Sequence, residues 1–241
     1  MRYALFGDVH GNLEAFRAVL EQIDALAPDA VYCLGDTIGY GPDPAACLDL
    51  LRERNIPAVA GNHDMAVCGK LATDCFNADA LRSVEWTRDA LDPERLAYAG
   101  SFPLSLNADG LALAHGTLAS PELFGYILSL QDAVLCFMAQ NQPYAFVAHT
   151  HVPISFVLDR NEISFSTESP LRLRVTARSV VNVGSVGQPR DGNADASFCL
   201  FDSVARTVEI RRIPYDVEEC VRKITAAGLP SSNGLRLRLG C

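Results

Sequence analysis

Short apolar runs recur along the first sixty positions, and amphipathic stretches separate them. Tyr3–Phe6 and Ala30–Leu34 are the length and texture of buried strands, and Ile56–Ala60 reads the same way. Between the first two, apolar side chains fall at Leu13, Phe16, Val19, Leu20, Ile23 and Leu26. That spacing predicts an amphipathic helix over 13–26, with Asn12 placed to cap it. Pro44–Arg54 reads as a second helix, opened by a proline in its first turn. Strand, helix, strand, helix, strand over residues 2–60 is the pattern of an α/β sheet with parallel neighbours.

Residues 65–100 carry helical periodicity at Leu81, Val84 and Leu91 and are expected to form a helical insertion. Leu111–Ala114 and Ala145–Val147 are strand-like, and residues 120–140 read as a helix broken near Gly125. After His151 the texture changes. Ile154–Leu158, Leu171–Thr176, Ser179–Val183, Ser197–Phe201 and Thr207–Ile213 are short β-like runs, read as an antiparallel second sheet packed on the first. Pro214–Ala227 closes the chain with a helix, and the Leu235–Leu239 end is left open between packed and loose. With no linker, repeat or low-complexity segment, residues 1–241 are expected to form a single domain.

All five histidines fall inside five short motifs: Gly7-Asp8-Val9-His10-Gly11, Gly35-Asp36, Gly61-Asn62-His63-Asp64, His115-Gly116 and His149-Thr150-His151. Each motif follows one of the strand-like runs. On an extended segment residues i and i+2 share a face, which would pair Asp8 with His10 and His149 with His151. Asp, Asn and imidazole ligands without a thiolate suit Mn, Fe or Zn.

Composition narrows the function classes. A hydrophobic share of 49% supports a substantial core, and no uncharged apolar stretch approaches the ~20 residues that cross a bilayer. The first motif begins within a few residues of Met1, leaving no room for a signal peptide, so a cytoplasmic location is expected. The eight cysteines are scattered without a CxxC pair. Cys33, Cys47, Cys136 and Cys199 read as small buried hydrophobes, and Cys68 and Cys75 as reduced thiols in a cytosol. The net charge of −9 argues against duplex nucleic acid as a partner. It does not exclude a small phosphate ester or nucleotide, because two divalent ions would make one spot locally positive.

Taken in order, the motifs resemble the calcineurin-like metallophosphoesterases, whose signature runs Asp-x-His, Gly-Asp, Gly-Asn-His-Asp/Glu, a lone His, then Gly-His-x-His. The resemblance spans roughly residues 3–213 and is specific as a set, although each part alone is weak. Gly39-Tyr40-Gly41-Pro42-Asp43-Pro44 and the stretch Gly184–Gly192 are similar to a small prokaryotic branch of compact phosphodiesterases and diadenosine tetraphosphatase-like proteins. The resemblance implies an α/β fold, a four-layer αββα sandwich of two mixed β-sheets flanked by helices. It implies one metal on Asp8, His10, Asp36 and His151 and another on Asp36, Asn62, His115 and His149, with Asp36 bridging. The nucleophile would be a hydroxide between the two ions. His63 would not bind metal but would protonate the leaving oxygen.

Two departures stand out. Ala148 replaces the usual Gly before the last His-x-His, a small change. Thr37-Ile38-Gly39-Tyr40-Gly41 follows Asp36 where the protein serine/threonine phosphatases carry an Asp-Arg pair, which shifts weight toward phosphodiesters or nucleotide polyphosphates. Several residues keep two readings. Asn12 caps the helix or also bonds substrate; Asp64 orients His63 or only shapes the turn. Arg190 clamps a phosphate oxygen or is a solvated loop arginine, and Tyr40 stacks on a base or only packs. The competing functions are a protein or small-molecule phosphomonoesterase and a non-catalytic scaffold that kept the fold. Amidohydrolase- and β-lactamase-like enzymes are disfavoured because their His-x-His comes first. The sequence sets no oligomeric state.

Overall fold

A computed structural model describes all 241 residues. The elements run β1 (Arg2–Phe6), α1 (Leu13–Leu26), β2 (Ala30–Cys33), α2 (Pro44–Glu53), α3 (Asn62–Val67), α4 (Ala78–Ala90), α5 (Pro93–Ala99), β3 (Ser105–Ala108) and β4 (Leu111–Ala114). They continue with α6 (Leu130–Ala139), β5 (Tyr144–Val147), β6 (Ile154–Asp159), β7 (Glu162–Ser166), β8 (Leu171–Arg172), β9 (Arg178–Asn182), β10 (Ala196–Asp202), β11 (Thr207–Ile213), α7 (Val217–Ala226) and α8 (Ser231–Leu239). The strands make two mixed sheets, β2-β1-β10-β11-β8 and β3-β4-β5-β9-β6-β7.

The alternation of side chains along each strand builds the layers. In β1, Ala4 and Phe6 face a helical layer with Phe16 and Leu48, whereas Tyr3 and Leu5 face the second sheet. In β10, Phe198 joins the helical side and Cys199 and Phe201 join the inter-sheet side. Phe146 of β5 meets Phe201 between the sheets, with ring centroids 5.2 Å apart. Its neighbours Ala145 and Val147 face Ala133 and Phe137 of α6. Helices, sheet, sheet and helix therefore stack in four layers, as the resemblance implies.

Several elements differ from expectation. Ile56–Ala60 is not a ladder strand; it touches β2 through one parallel bridge, Cys33 to Ala58. Pro57 lacks an N–H and restricts the residue before it, so the segment cannot extend the ladder. The strands after His151 do not form their own antiparallel sheet. β10 and β11 return to the first sheet, β10 antiparallel to β1, and β9 runs parallel to β5. β1 is buried on both faces and needs a strand on each edge, and β10 supplies the second. The helical stretch expected over 65–100 holds three helices, the first of which begins earlier, at Asn62. Within 120–140 a short 3-10 turn at Pro121–Leu123 precedes α6, which Ser129 caps. The Leu235–Leu239 end lies in α8, where Leu237 packs with Val221 and Ile224 of α7. No helix is long and apolar enough to cross a membrane.

Candidate metal centre

β1 and β2 run parallel, as do β4, β5 and β9, and the residues following these strands meet at one end of the sandwich. Asp8 and His10 follow β1, Asp36 follows β2, His115 follows β4, and His149 and His151 follow β5. Open α/β sheets bind ligands at this end. All six side chains, with His63 and Asp64, are buried.

The expected Asp8–His10 pairing is present but arises differently, and His149 and His151 fall in different clusters. The strands end at Phe6 and Val147, before the motifs, so pleat alternation does not pair the side chains. Instead Asp8, His10, Asp36, His149 and His151 all take left-handed backbone, with φ of 52°, 49°, 51°, 69° and 61°. This conformation is uncommon outside glycine, and alternate left-handed residues turn both side chains of each pair inward. Asn182 Nδ2 donates to Ala148 O and Thr150 Oγ1, and the Ser185 hydroxyl donates to Asp8 O, so β9 and its loop pin both turns.

Three trios of side chains could hold a metal: Asp8, His10 and His151; His10, Asp36 and His63; Asp36, His115 and His149. Asp36 and His10 each belong to two of them. His115 Nδ1 donates to Leu34 O at 2.7 Å and His151 Nδ1 to Gln188 O at 2.6 Å. Carbonyls only accept, so in the neutral ring each Nε2 carries a lone pair facing inward. Those nitrogens lie 3.3 Å from Asp36 Oδ2 and 3.6 Å from Asp8 Oδ1 respectively. Asp8 Oδ1 and Asn62 Oδ1 are buried with no hydrogen-bond partner. Buried polar atoms are rarely left unsatisfied, and an oxygen-rich, imidazole-rich cluster with orphaned acceptors fits divalent cations.

The electrostatics agree. Burial pushes the Asp8 carboxyl up to about 7, opposed by His115 and reinforced by Asp36. Burial would also raise Asp36, but His115, His63 and His10 hold it well below the usual carboxylate range. Burial favours neutral His115, yet the Asp36 charge and hydrogen bond lift it to about 9. Burial brings His63 down to about 4 and His149 to about 3. Two buried carboxylates thus share the site with imidazoles that burial mostly drives toward their neutral, metal-binding form, a setting that suits divalent cations.

The remaining residues separate. Asn12 caps α1 by accepting from Ala15 N at 3.1 Å, and its amide donates to Gly187 O and Tyr215 Oη. Both polar atoms of the side chain are engaged within the fold, which supports the capping reading. Asp64 makes no hydrogen bond to the His63 ring. It accepts from Ile38 N and Gly61 N, holding the two ligand turns together, while His63 Nδ1 is buried without a partner. His63 sits within the second trio, closer to the ligands than the resemblance implied. Its backbone N–H donates to Asp36 Oδ1. A Cβ on Gly39 would stand 2.7 Å from His63 Nδ1, so that position must be glycine for the ring to close down. Arg190 is partly buried, over the Tyr40 ring at 5.9 Å and bonded to Gln188 Oε1 at 2.8 Å. Tyr40 packs on both His10 and His63.

Tyr126 and Phe76 were missed. Tyr126 stacks on His149 with centroids 3.9 Å apart and planes 15° apart, and Phe76 lies 5.1 Å from the His63 ring. Neither lies in a motif, and an isolated aromatic in a turn gives no periodic signal.

The Calcineurin-like phosphoesterase superfamily domain matches residues 1–206. An uncharacterised protein of Methanocaldococcus jannaschii is 35% identical, covering 98% of this chain and 97% of its own length. The crystal structure of a metallophosphoesterase from Sphaerobacter thermophilus is similar with 37% identity and a TM-score of 0.86, covering 100% of this chain and 99% of that one. A symmetrical bis(5'-nucleosyl)-tetraphosphatase of Wigglesworthia glossinidia brevipalpis is 40% identical over 68 residues, 27% of this chain and 25% of its own. Fold, ordered motifs and buried ligand trios agree with these likenesses, and the chain belongs to the calcineurin-like phosphoesterase superfamily.

Proposed function

We propose that this chain is a phosphoester hydrolase working with two divalent ions, Mn, Fe or Zn, on phosphodiesters or nucleotide polyphosphates rather than on phosphoproteins. The observation that carries it is Asp36, which belongs to two of the three potential metal trios. Asp8, His10, Asp36 and His151 would hold one ion, and Asp36, Asn62, His115 and His149 the other. Such ions supply Lewis acidity toward phosphate oxygens and water. Around them, His63 would deliver a proton to the leaving oxygen, and Arg190 would hold a phosphate oxygen beside Tyr40. Thr37-Ile38-Gly39-Tyr40-Gly41 follows Asp36 without the Asp-Arg pair of the protein phosphatases, which supports the substrate side of the reading. The short likeness to a tetraphosphatase supports the nucleotide side of the reading.

The test is a matrix of metal-free protein reloaded with Mn, Fe, Zn, Co or Mg. It is assayed on bis(p-nitrophenyl) phosphate, p-nitrophenyl phosphate, a dinucleoside tetraphosphate and a phosphoserine peptide. Asp36→Asn should lose bound metal and turnover together. Full metal loading with no hydrolysis of any ester would instead make the protein a binding scaffold.

A further inference from the structure

A hollow of about 340 Å³ opens beside the metal centre, and Asn62, His63 and His149 form its floor. That volume lies in the range of about 300–1,000 Å³ typical of small-molecule sites. Two rows of rings line it. Tyr40, His63 and Phe76 form one, with His63 centroids 4.5 Å from Tyr40 and 5.1 Å from Phe76. His149 and Tyr126, stacked at 3.9 Å, form the other. Nine of the fourteen lining residues are hydrophobic, and none is Lys or Arg. Glu122 is the one acidic side chain of the lining. Arg190, which could meet an anion, lies against Tyr40 outside it.

We propose that this hollow receives a flat, uncharged aromatic group esterified to a single phosphate, an aryl or nucleoside ester, and that Phe76 and Tyr126 select it. The proposal rests on the phosphoesterase reading for where the phosphate sits. Aromatic side chains lining an apolar slot favour another ring, by face or edge contact and by area removed from water. A polyphosphate tail extended along the hollow, away from the metal centre, would bring further anions to Glu122, and the lining has no Lys or Arg to meet them. Of the two substrate classes proposed above, the hollow therefore favours the ester of one phosphate.

Binding of inert phosphonates to the manganese-loaded full chain tests this by calorimetry. Phenylphosphonate and a nucleoside 5'-phosphonate should bind roughly tenfold tighter than methylphosphonate. The tighter of the two identifies the aromatic group. 3-Phosphonopropionate, which puts an anion where the ring would lie, should bind no tighter than methylphosphonate. Tyr126→Ala and Phe76→Ala should each weaken the aromatic ligands by roughly fivefold and spare methylphosphonate, while Tyr126→Phe keeps the preference. Tyr126 is 50% exposed, so its truncation does not threaten the core. Metal content is read in parallel, and if Tyr126→Ala loosens His149, Phe76→Ala decides. Equal affinity for methyl and aromatic ligands, tightest binding of the anionic one, or a preference intact in both alanine variants would overturn the proposal. An intact, variant-sensitive preference without hydrolysis of any ester supports the hollow and sinks the catalytic reading. Hydrolysis of bis(p-nitrophenyl) phosphate without the preference does the reverse.

Discussion

Replacing Asn12 by alanine separates a structural role from a substrate role. The side chain is buried and makes three hydrogen bonds, from Ala15 N and to Gly187 O and Tyr215 Oη. Loss of an N-cap costs about 1 kcal/mol, and each of the other two bonds contributes a net of about 1 kcal/mol. The expected destabilisation is therefore about 3 kcal/mol, and a protein of this size should melt roughly 6–12 °C lower. Asn12→Ser keeps an acceptor for Ala15 N but cannot reach Gly187, so it should recover about 1 kcal/mol of the loss. Denaturant unfolding of the metal-free protein gives the stabilities, and kcat/KM of the reloaded protein gives the function. Unchanged stability in Asn12→Ala with a hundredfold fall in kcat/KM would refute the reasoning and return Asn12 to the substrate.

Two further variants probe the centre. A Cβ at Gly61 would overlap Asp36 Oδ1 and crowd the Asp36 N–H; Gly61→Ala should displace the shared carboxylate and cut metal content sharply, and normal loading by elemental analysis would show that the turn can yield. His63→Asn should keep its metals yet slow turnover by about 10²–10⁴-fold, with a smaller deficit for p-nitrophenyl esters than for alkyl esters; loss of metal would make His63 a ligand, as its place in the second trio allows.

The first half of the fold was legible because its signals are local. Asn12, the apolar spacing from Leu13 to Leu26 and the buried run Tyr3–Phe6 each state their conformation within a few residues. The same holds for the convergence of Asp8, Asp36, His115, His149 and His151, since each lies within four residues of a strand end. What was missed depends on partners far along the chain. Nothing within Ala196–Asp202 says that it pairs with β1 rather than with the strands nearer in sequence. β3 and β7 lie at the edge of their sheet or pair there with half-polar sequences, Ser-Leu-Asn-Ala and Glu-Ile-Ser-Phe-Ser, that read as loops. For Asp64 the turn-shaping alternative matches its bond to Gly61 N, whereas its bond to Ile38 N was not legible, because that partner arrives only after two turns have met.

The left-handed ligands link the fold to the chemistry. Residues in this conformation cost of order 1–3 kcal/mol each, and five of them carry the candidate ligands Asp8, His10, Asp36, His149 and His151. Such turns persist only where the surroundings hold them, and here each is gripped by the sheets. Leu34 N donates to Phe6 O, Asp8 N to Gly35 O, His10 N to Asp36 O, Ala148 N to His115 O and Gly187 N to Asp8 O. Every ligand turn is thus bonded to another ligand turn or to the loop after β9, so the centre moves as one body with the strand ends. A loosely held aspartate could swing to solvent and avoid its desolvation; Asp8 and Asp36 cannot. The rigid turns therefore keep two buried carboxylates together despite their mutual repulsion, and that held repulsion would favour a bound cation.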